Sequence, residues 1–429
     1  MTRLAWLLAA STVLAHPAVA QNLVNGSLVG DRDAPNTLTL RLTSDGPGNN
    51  YPATAEGYNE LYSDFIRNHP EWKIEMQLMS DNIGQEQARM LEQARAGRAP
   101  DCAAVDSFVL PQFISNGVLA SFSPYFSDEE IDQLFPFIRD GITGEDGEIY
   151  AWWWNTDLRV LYRNETIVPE APETWEELKE AAIASTEDGM EGLLFNGGRW
   201  EGTTFDWLAN YWAQGGDLVD EEGKPIFGEG ENREKFLTAV NYFKDLVDSG
   251  AAPRRVANIA SYDDFVAAAA AGTSALFIGG NWQYSQLEDT LPAETFEQWT
   301  FSPIPGPTLE ERSTGTGGWT FGSFSDDPEK VEMCANLVRE VYMGPANALQ
   351  QQLPTRADLY DQYEVFDTPA NQTFAEALDD GRARPGAAIY PEISNQIQIM
   401  MGDVLTGSKT PEDALDDAYQ AALDAYERL

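Results

Sequence analysis

Seventy aspartates and glutamates and twelve tryptophans are the most plentiful chemistry-bearing residues of this 429-residue chain. Two carboxylates flanking a sugar, with aromatic rings to hold it, are what glycoside hydrolysis needs, so a secreted glycoside hydrolase is one reading of that inventory. No pair of acids stands out by spacing. Scarcity removes other chemistry: beyond the first twenty residues the only histidine is His69, which excludes most zinc sites, histidine-based triads and proton shuttles. There is no Gly-Lys-Ser/Thr phosphate loop, dinucleotide fingerprint or calcium loop. No cofactor, no metal and no catalytic residue are expected. The two cysteines, Cys102 and Cys334, provide no disulfide framework.

The acids also set the surface. Against 27 lysines and arginines they give a formal net charge of −43, a field that repels nucleic acid and anionic lipid headgroups. The charge reads first as a halophilic adaptation and second as a site for a cationic ligand. At the start of the chain, Arg3, the apolar run Leu4–Leu14 and Ala18-Val19-Ala20 spell a secretory signal peptide cleaved after Ala20. No later apolar run approaches the length of a membrane span, so a periplasmic protein is expected. About 400 residues then follow, too many for one hydrophobic core, which points to two lobes.

Elements alternate in the way a largely parallel sheet requires. Leu38–Leu42 reads as a strand by its period of two, followed by a Gly/Pro/Asn-rich loop from Ser44 to Pro52 and a helix over 56–68. A strand at 73–78, a helix over 85–96 and a strand at 102–105 continue the βαβ rhythm. Thr174 and Glu177 form a capping box at a helix start. Strands are expected at Ser274–Ile278 and Trp299–Pro303. Thr410-Pro411 opens a last helix, with an apolar stripe of Leu415, Ala418, Ala422 and Tyr426.

Several segments, in this order, resemble the extracellular solute-binding proteins of ABC sugar importers, the group that includes maltose- and trehalose-binding proteins. They are Pro100–Asp106, Gln112–Leu119, Gly147–Ala151, Leu161–Glu165 and Thr174–Leu178, then Gly280–Tyr284, Gly317–Trp319, Arg384-Pro385, Tyr390–Ser394 and Glu412–Leu415. The resemblance implies an α/β fold of two lobes, each an open, mostly parallel sheet flanked by helices, with a ligand cleft at the hinge. By similarity the first lobe takes residues 21–153 and returns over 278–322, while the second takes 154–277 and 323–429. Crossings fall near 153–156, 277–280 and 320–323. In an exported protein Cys102 and Cys334 could pair, but the resemblance puts them in different lobes, which favours two buried free thiols.

The same resemblance supplies the candidate site. Trp282, Tyr284 and Trp319, with Gly318 beside it, match positions that stack on sugar, where flat rings suit the apolar face of a pyranose. Arg384 matches an arginine that donates to hydroxyls, its fork suiting two adjacent oxygens. Asp106 ends a strand, at the edge where ligands bind open α/β sheets. Asp157, Asp45, Asn49, Trp154, Glu201 and Arg89 fall near further contact positions, with Trp154 part of the run Trp152–Trp154 beside a hinge. The expected function is a monomeric periplasmic protein that captures a small carbohydrate, best an α-linked disaccharide such as trehalose, and hands it to the permease subunits of an ABC transporter. A polyamine or quaternary ammonium ligand in the same fold is the alternative, held by carboxylates and cation–π contacts.

Overall fold

The computed structural model describes residues 23–80, 83–187, 189–220 and 222–428. The expected signal peptide lies outside them. In the first lobe, the strand Asn36–Leu42 lies between Trp72–Leu78 and Cys102–Asp106, both parallel to it. Leu38, Leu40 and Leu42, the alternate residues of that strand, are buried with Tyr58, Tyr62, Phe65 and Ile66 of the helix Pro52–Asn68. The period of two in the strand and the apolar face of the helix thus make one core. Trp319–Ser323 joins antiparallel beside Cys102–Asp106, with Trp152–Trp153 outside it.

The second lobe is built on Arg159–Asn164, which pairs antiparallel with Trp299–Pro303 on one side and Leu276–Gly280 on the other. Leu193–Leu194 runs parallel beside Leu276–Gly280. Helices Glu201–Trp212, Gly230–Asp248, Tyr390–Thr406 and Pro411–Tyr426 pack together over this sheet. The capping box is present, Thr174 accepting from the Glu177 amide at 3.3 Å and Glu177 accepting from the Thr174 amide at 3.3 Å. Thr410 likewise caps the last helix through the Asp413 amide at 3.1 Å.

Three expectations need correction. Parallel pairing joins three strands of the first lobe, Leu193–Leu194 to Leu276–Gly280 in the second, and Thr314–Thr316 to Gly381–Ala383, whereas the central strand Arg159–Asn164 of the second lobe has antiparallel partners on both sides. The lobe boundaries move as well. Leu276–Gly280 is a central strand of the second lobe and no crossing, so 278–316 stays there with Trp299–Pro303. The chain crosses at 154–158 and returns at 317–318. It leaves the first lobe again between Phe366, which packs on Tyr360, and Phe374, which stacks on Phe301 at 4.1 Å. Residues 323–366 therefore belong to the first lobe.

The third correction follows from the second. Ser323 pairs with Cys102 in the sheet, and the helix Pro328–Leu337 that follows carries Cys334 back over that strand. Cys102 and Cys334 form a disulfide with a Cα separation of 5.7 Å, inside the range that such bonds require.

The first two crossings lie side by side, Asp157 bridging to Gly317, and Asn155–Thr156 also pairs antiparallel with Leu353–Pro354 of the first lobe. Gly318 has φ +142°, and a Cβ there would lie 1.9 Å from the Asn155 carbonyl oxygen, so only glycine lets the two crossings approach this closely.

The oxidised protein is expected to show no reactive thiol when denatured without reductant and two after reduction. The Cys102→Ser/Cys334→Ser double variant should lose about 2–5 kcal/mol of stability in urea titrations, since the bond closes a long loop.

Candidate ligand-binding cleft

Between the lobes lies a cleft of about 440 Å³, within the ~300–1,000 Å³ span of small-molecule sites. The first lobe contributes Asp45, Asn49 and Tyr51 from the loop that precedes the helix Pro52–Asn68, and Asp106 from a strand end. The hinge contributes Asn155, Asp157 and Trp319, and the second lobe Arg159, Trp200, Glu201, Phe205, Tyr262, Trp282 and Arg384.

The aromatic groups are contiguous. Tyr262 meets Trp200 edge-on at 5.0 Å and Trp282 edge-on at 4.9 Å. Trp319 is fixed from below, its amide donating to Asn155 Oδ1 at 2.8 Å. The Asn155 side-chain amide in turn donates to Gln352 Oε1 at 3.0 Å, so one buried side chain ties the first crossing to two first-lobe segments under the cleft.

Two buried guanidinium groups organise the charges. Arg159, on the central strand of the second lobe, donates to Asp157 at 2.6 Å, Asp206 at 3.0 Å and the Tyr262 hydroxyl at 3.1 Å. Arg384 donates to Asp106 at 2.7 Å and to Glu201 at 3.1 Å. Both lie against one ring, Phe205, at 3.8 and 3.9 Å from its centroid, close enough for cation–π attraction. Glu201 also accepts from the Tyr390 hydroxyl at 2.7 Å. Burial pushes the Asp106 carboxyl up to about 6, against the lowering influence of Arg384 and with Glu201 and Asp157 adding to the rise. Burial likewise raises Asp206 and Asp45, the latter opposed by hydrogen bonds from Thr43 and Gln350.

Of the residues expected from sequence, the structure brings Trp282, Trp319, Arg384, Asp106, Asp157, Asp45, Asn49 and Glu201 to the cleft wall. Four lie elsewhere. Tyr284 is two residues beyond Trp282 as the helix Gln283–Thr290 begins, and residues that far apart face different sides; it packs on Phe296 and Phe301. Trp154 is buried against Tyr342 at 5.1 Å. Arg89 pairs with Glu86 on its own helix. Gly318 serves the close approach of the crossings described above.

Arg384 also differs from expectation in its partners, because both arms of its fork hold protein carboxylates. Sequence reasoning missed Arg159, Trp200, Tyr262 and Phe205. A signal existed for Arg159, a charge inside the apolar run Leu158–Leu161, which demands a buried partner.

Known proteins share this architecture. The sequence pattern of the family described as bacterial extracellular solute-binding protein matches residues 51–339. The maltodextrin-binding protein MdxE of Bacillus subtilis (strain 168) is 23% identical over 357 residues, covering 75% of this chain and 76% of that protein. Maltose-bound MalE3 of T. maritima superimposes with a TM-score of 0.78 at 23% identity, covering 90% of this chain and 98% of the other. An ABC transporter solute-binding protein of Thermotoga lettingae TMO bound with α-D-tagatose gives 0.78 at 24% identity, covering 91% and 99%. Among the described residues no helix is long and apolar enough to cross a membrane.

The Asp106 environment sets a pH test. An unfolded aspartate titrates near 3.8, so the native chain holds an extra proton between about pH 4 and 6. This group's contribution to stability is full below that window and lost as pH rises through 6. Relative to Asp106→Asn, wild-type stability in urea titrations should fall by up to about 3 kcal/mol from pH 4 to 6.5.

Proposed function

The chain belongs to the bacterial extracellular solute-binding proteins, a family of binding proteins and not of enzymes, and we propose from that premise that it captures a small neutral carbohydrate in the cleft. The observation that carries the reading is the convergence of Trp200, Tyr262, Trp282 and Trp319 with hydrogen-bonding side chains on one cleft. Flat rings take the apolar face of a pyranose while polar groups take its hydroxyl rim.

An α-linked disaccharide such as maltose or trehalose suits a cleft of about 440 Å³. The names of similar proteins, which include maltodextrin and maltose binders, agree with that class. The lobes close on the sugar as a hinge motion, and the closed form delivers it to the permease subunits of an ABC importer from the periplasmic side. Spermidine in the same cleft is the reading that a direct titration separates.

Calorimetric titration of the mature protein in saline buffer against maltose, trehalose, sucrose, glucose and spermidine tests this. One-to-one micromolar or tighter binding of a sugar, recovered intact, is expected. Trp282→Ala or Trp319→Ala should weaken it at least tenfold, about 1.4 kcal/mol or more. Tight spermidine binding with every sugar silent would overturn the carbohydrate reading.

A further inference from the structure

Asp106 and Arg384 belong to different lobes. Asp106 ends the first-lobe strand Cys102–Asp106, whereas Arg384 follows the short strand Gly381–Ala383, which pairs with Thr314–Thr316 in the second lobe. Their contact at 2.7 Å therefore spans the cleft. Neighbouring contacts span it too: Phe108 meets Tyr390 edge-on at 5.4 Å, and Gln112 donates to the Ala388 carbonyl at 2.6 Å. The guanidinium of Arg384 also lies over Phe108 of the first lobe at 4.4 Å, besides Phe205 of the second.

The partners of the two guanidinium groups limit what the cleft can accept. Arg384 is held by Asp106 and Glu201, and Arg159 by Asp157 and Asp206. No other lysine or arginine lines the cleft among the described residues. Four carboxylates thus surround two cations, and both cations are engaged by protein. An anionic ligand finds no spare cation there and meets like charge at short range. A neutral polyol meets carboxylate oxygens that accept from its hydroxyls while the ion pair stays in place.

We propose that Asp106 and Arg384 form an interlobe latch that holds the lobes together before any ligand arrives, and that by engaging Arg384 the latch restricts the cleft to uncharged carbohydrates and excludes uronates and sugar phosphates. The proposal rests on the carbohydrate reading for its second half only. Buried pairs of this kind contribute little net stability but fix an arrangement. A latch that populates the closed form also raises apparent affinity, because affinity scales with the fraction of molecules ready to bind.

Two measurements on the mature chain test it. Spin labels at Glu60→Cys in the first lobe and Glu231→Cys in the second report the interlobe distance without ligand. Wild type is expected to show a closed population that Asp106→Asn depletes and Arg384→Lys, which keeps the cation, partly retains, with circular dichroism confirming that each variant is folded. Calorimetry with maltose and trehalose and with the 6-carboxylate and 6-phosphate of each then reads the selectivity. In wild type the neutral sugar should bind at least tenfold tighter than its anionic forms, and Asp106→Asn, which frees one arm of Arg384, should narrow that ratio to threefold or less. An interlobe distance unchanged by Asp106→Asn overturns the latch. A selectivity ratio unchanged in that variant overturns the exclusion. A closed population sensitive to Asp106→Asn with every sugar silent supports the latch and rejects the carbohydrate reading instead.

Discussion

A buried ion without a partner costs several kcal/mol, and this constraint governs the centre of the molecule. Arg159 and Arg384 lie within 4 Å of the centroid of one phenylalanine ring, and four carboxylates from three segments converge on them. Each segment is thereby held in register with the others: the central strand of the second lobe, the helix bearing Glu201 and Asp206, the hinge acid Asp157, and the first-lobe strand that ends at Asp106. Moving any one of them alone would strand a charge. The cluster thus fixes the back of the cleft, against which the aromatic groups are presented.

The hinge meets a second requirement, that two crossings lie in contact with each other and with Leu353–Pro354 of the first lobe while each keeps its hydrogen bonds. Asn155 does most of this, with its side chain bonded to Trp319 and Gln352 and its carbonyl accepting from the Trp153 indole at 2.9 Å. Gly318 supplies the close approach. The Asp106–Arg384 ion pair joins the two lobes, so it is the charged contact that opening of the cleft breaks.

Much of this was legible in the sequence where the signal is local. Period-two alternation marked Leu38–Leu42, and Thr174 and Thr410 announced their helices, because strand pleat and helix capping are decided within a few residues. Order of segments carried the two-lobed fold. Pairing between distant segments was not legible: the Cys102–Cys334 disulfide depends on Trp319–Ser323 entering the first lobe, and the lobe boundaries depend on Leu276–Gly280 pairing with Arg159–Asn164. At the cleft, matched positions led to Trp282, Trp319, Asp106 and Arg384. They also led to Tyr284, which helix geometry turns away, and passed over Trp200 and Tyr262, which reach the cleft from loops with no periodic signal. The partners of Arg384 were equally invisible, since a guanidinium in a cleft can serve ligand or protein and only the fold decides.

Sugar capture beneath an intact Asp106–Arg384 pair is tested most directly by a crystal structure of the mature protein grown with maltose or trehalose, whichever binds more tightly. One sugar is expected between the lobes, with a ring against Trp282 or Trp319, hydroxyls on the cleft carboxylates, and Asp106 still bonded to Arg384. A sugar bound outside the cleft, or one whose hydroxyls have taken Arg384 away from Asp106, would contradict it.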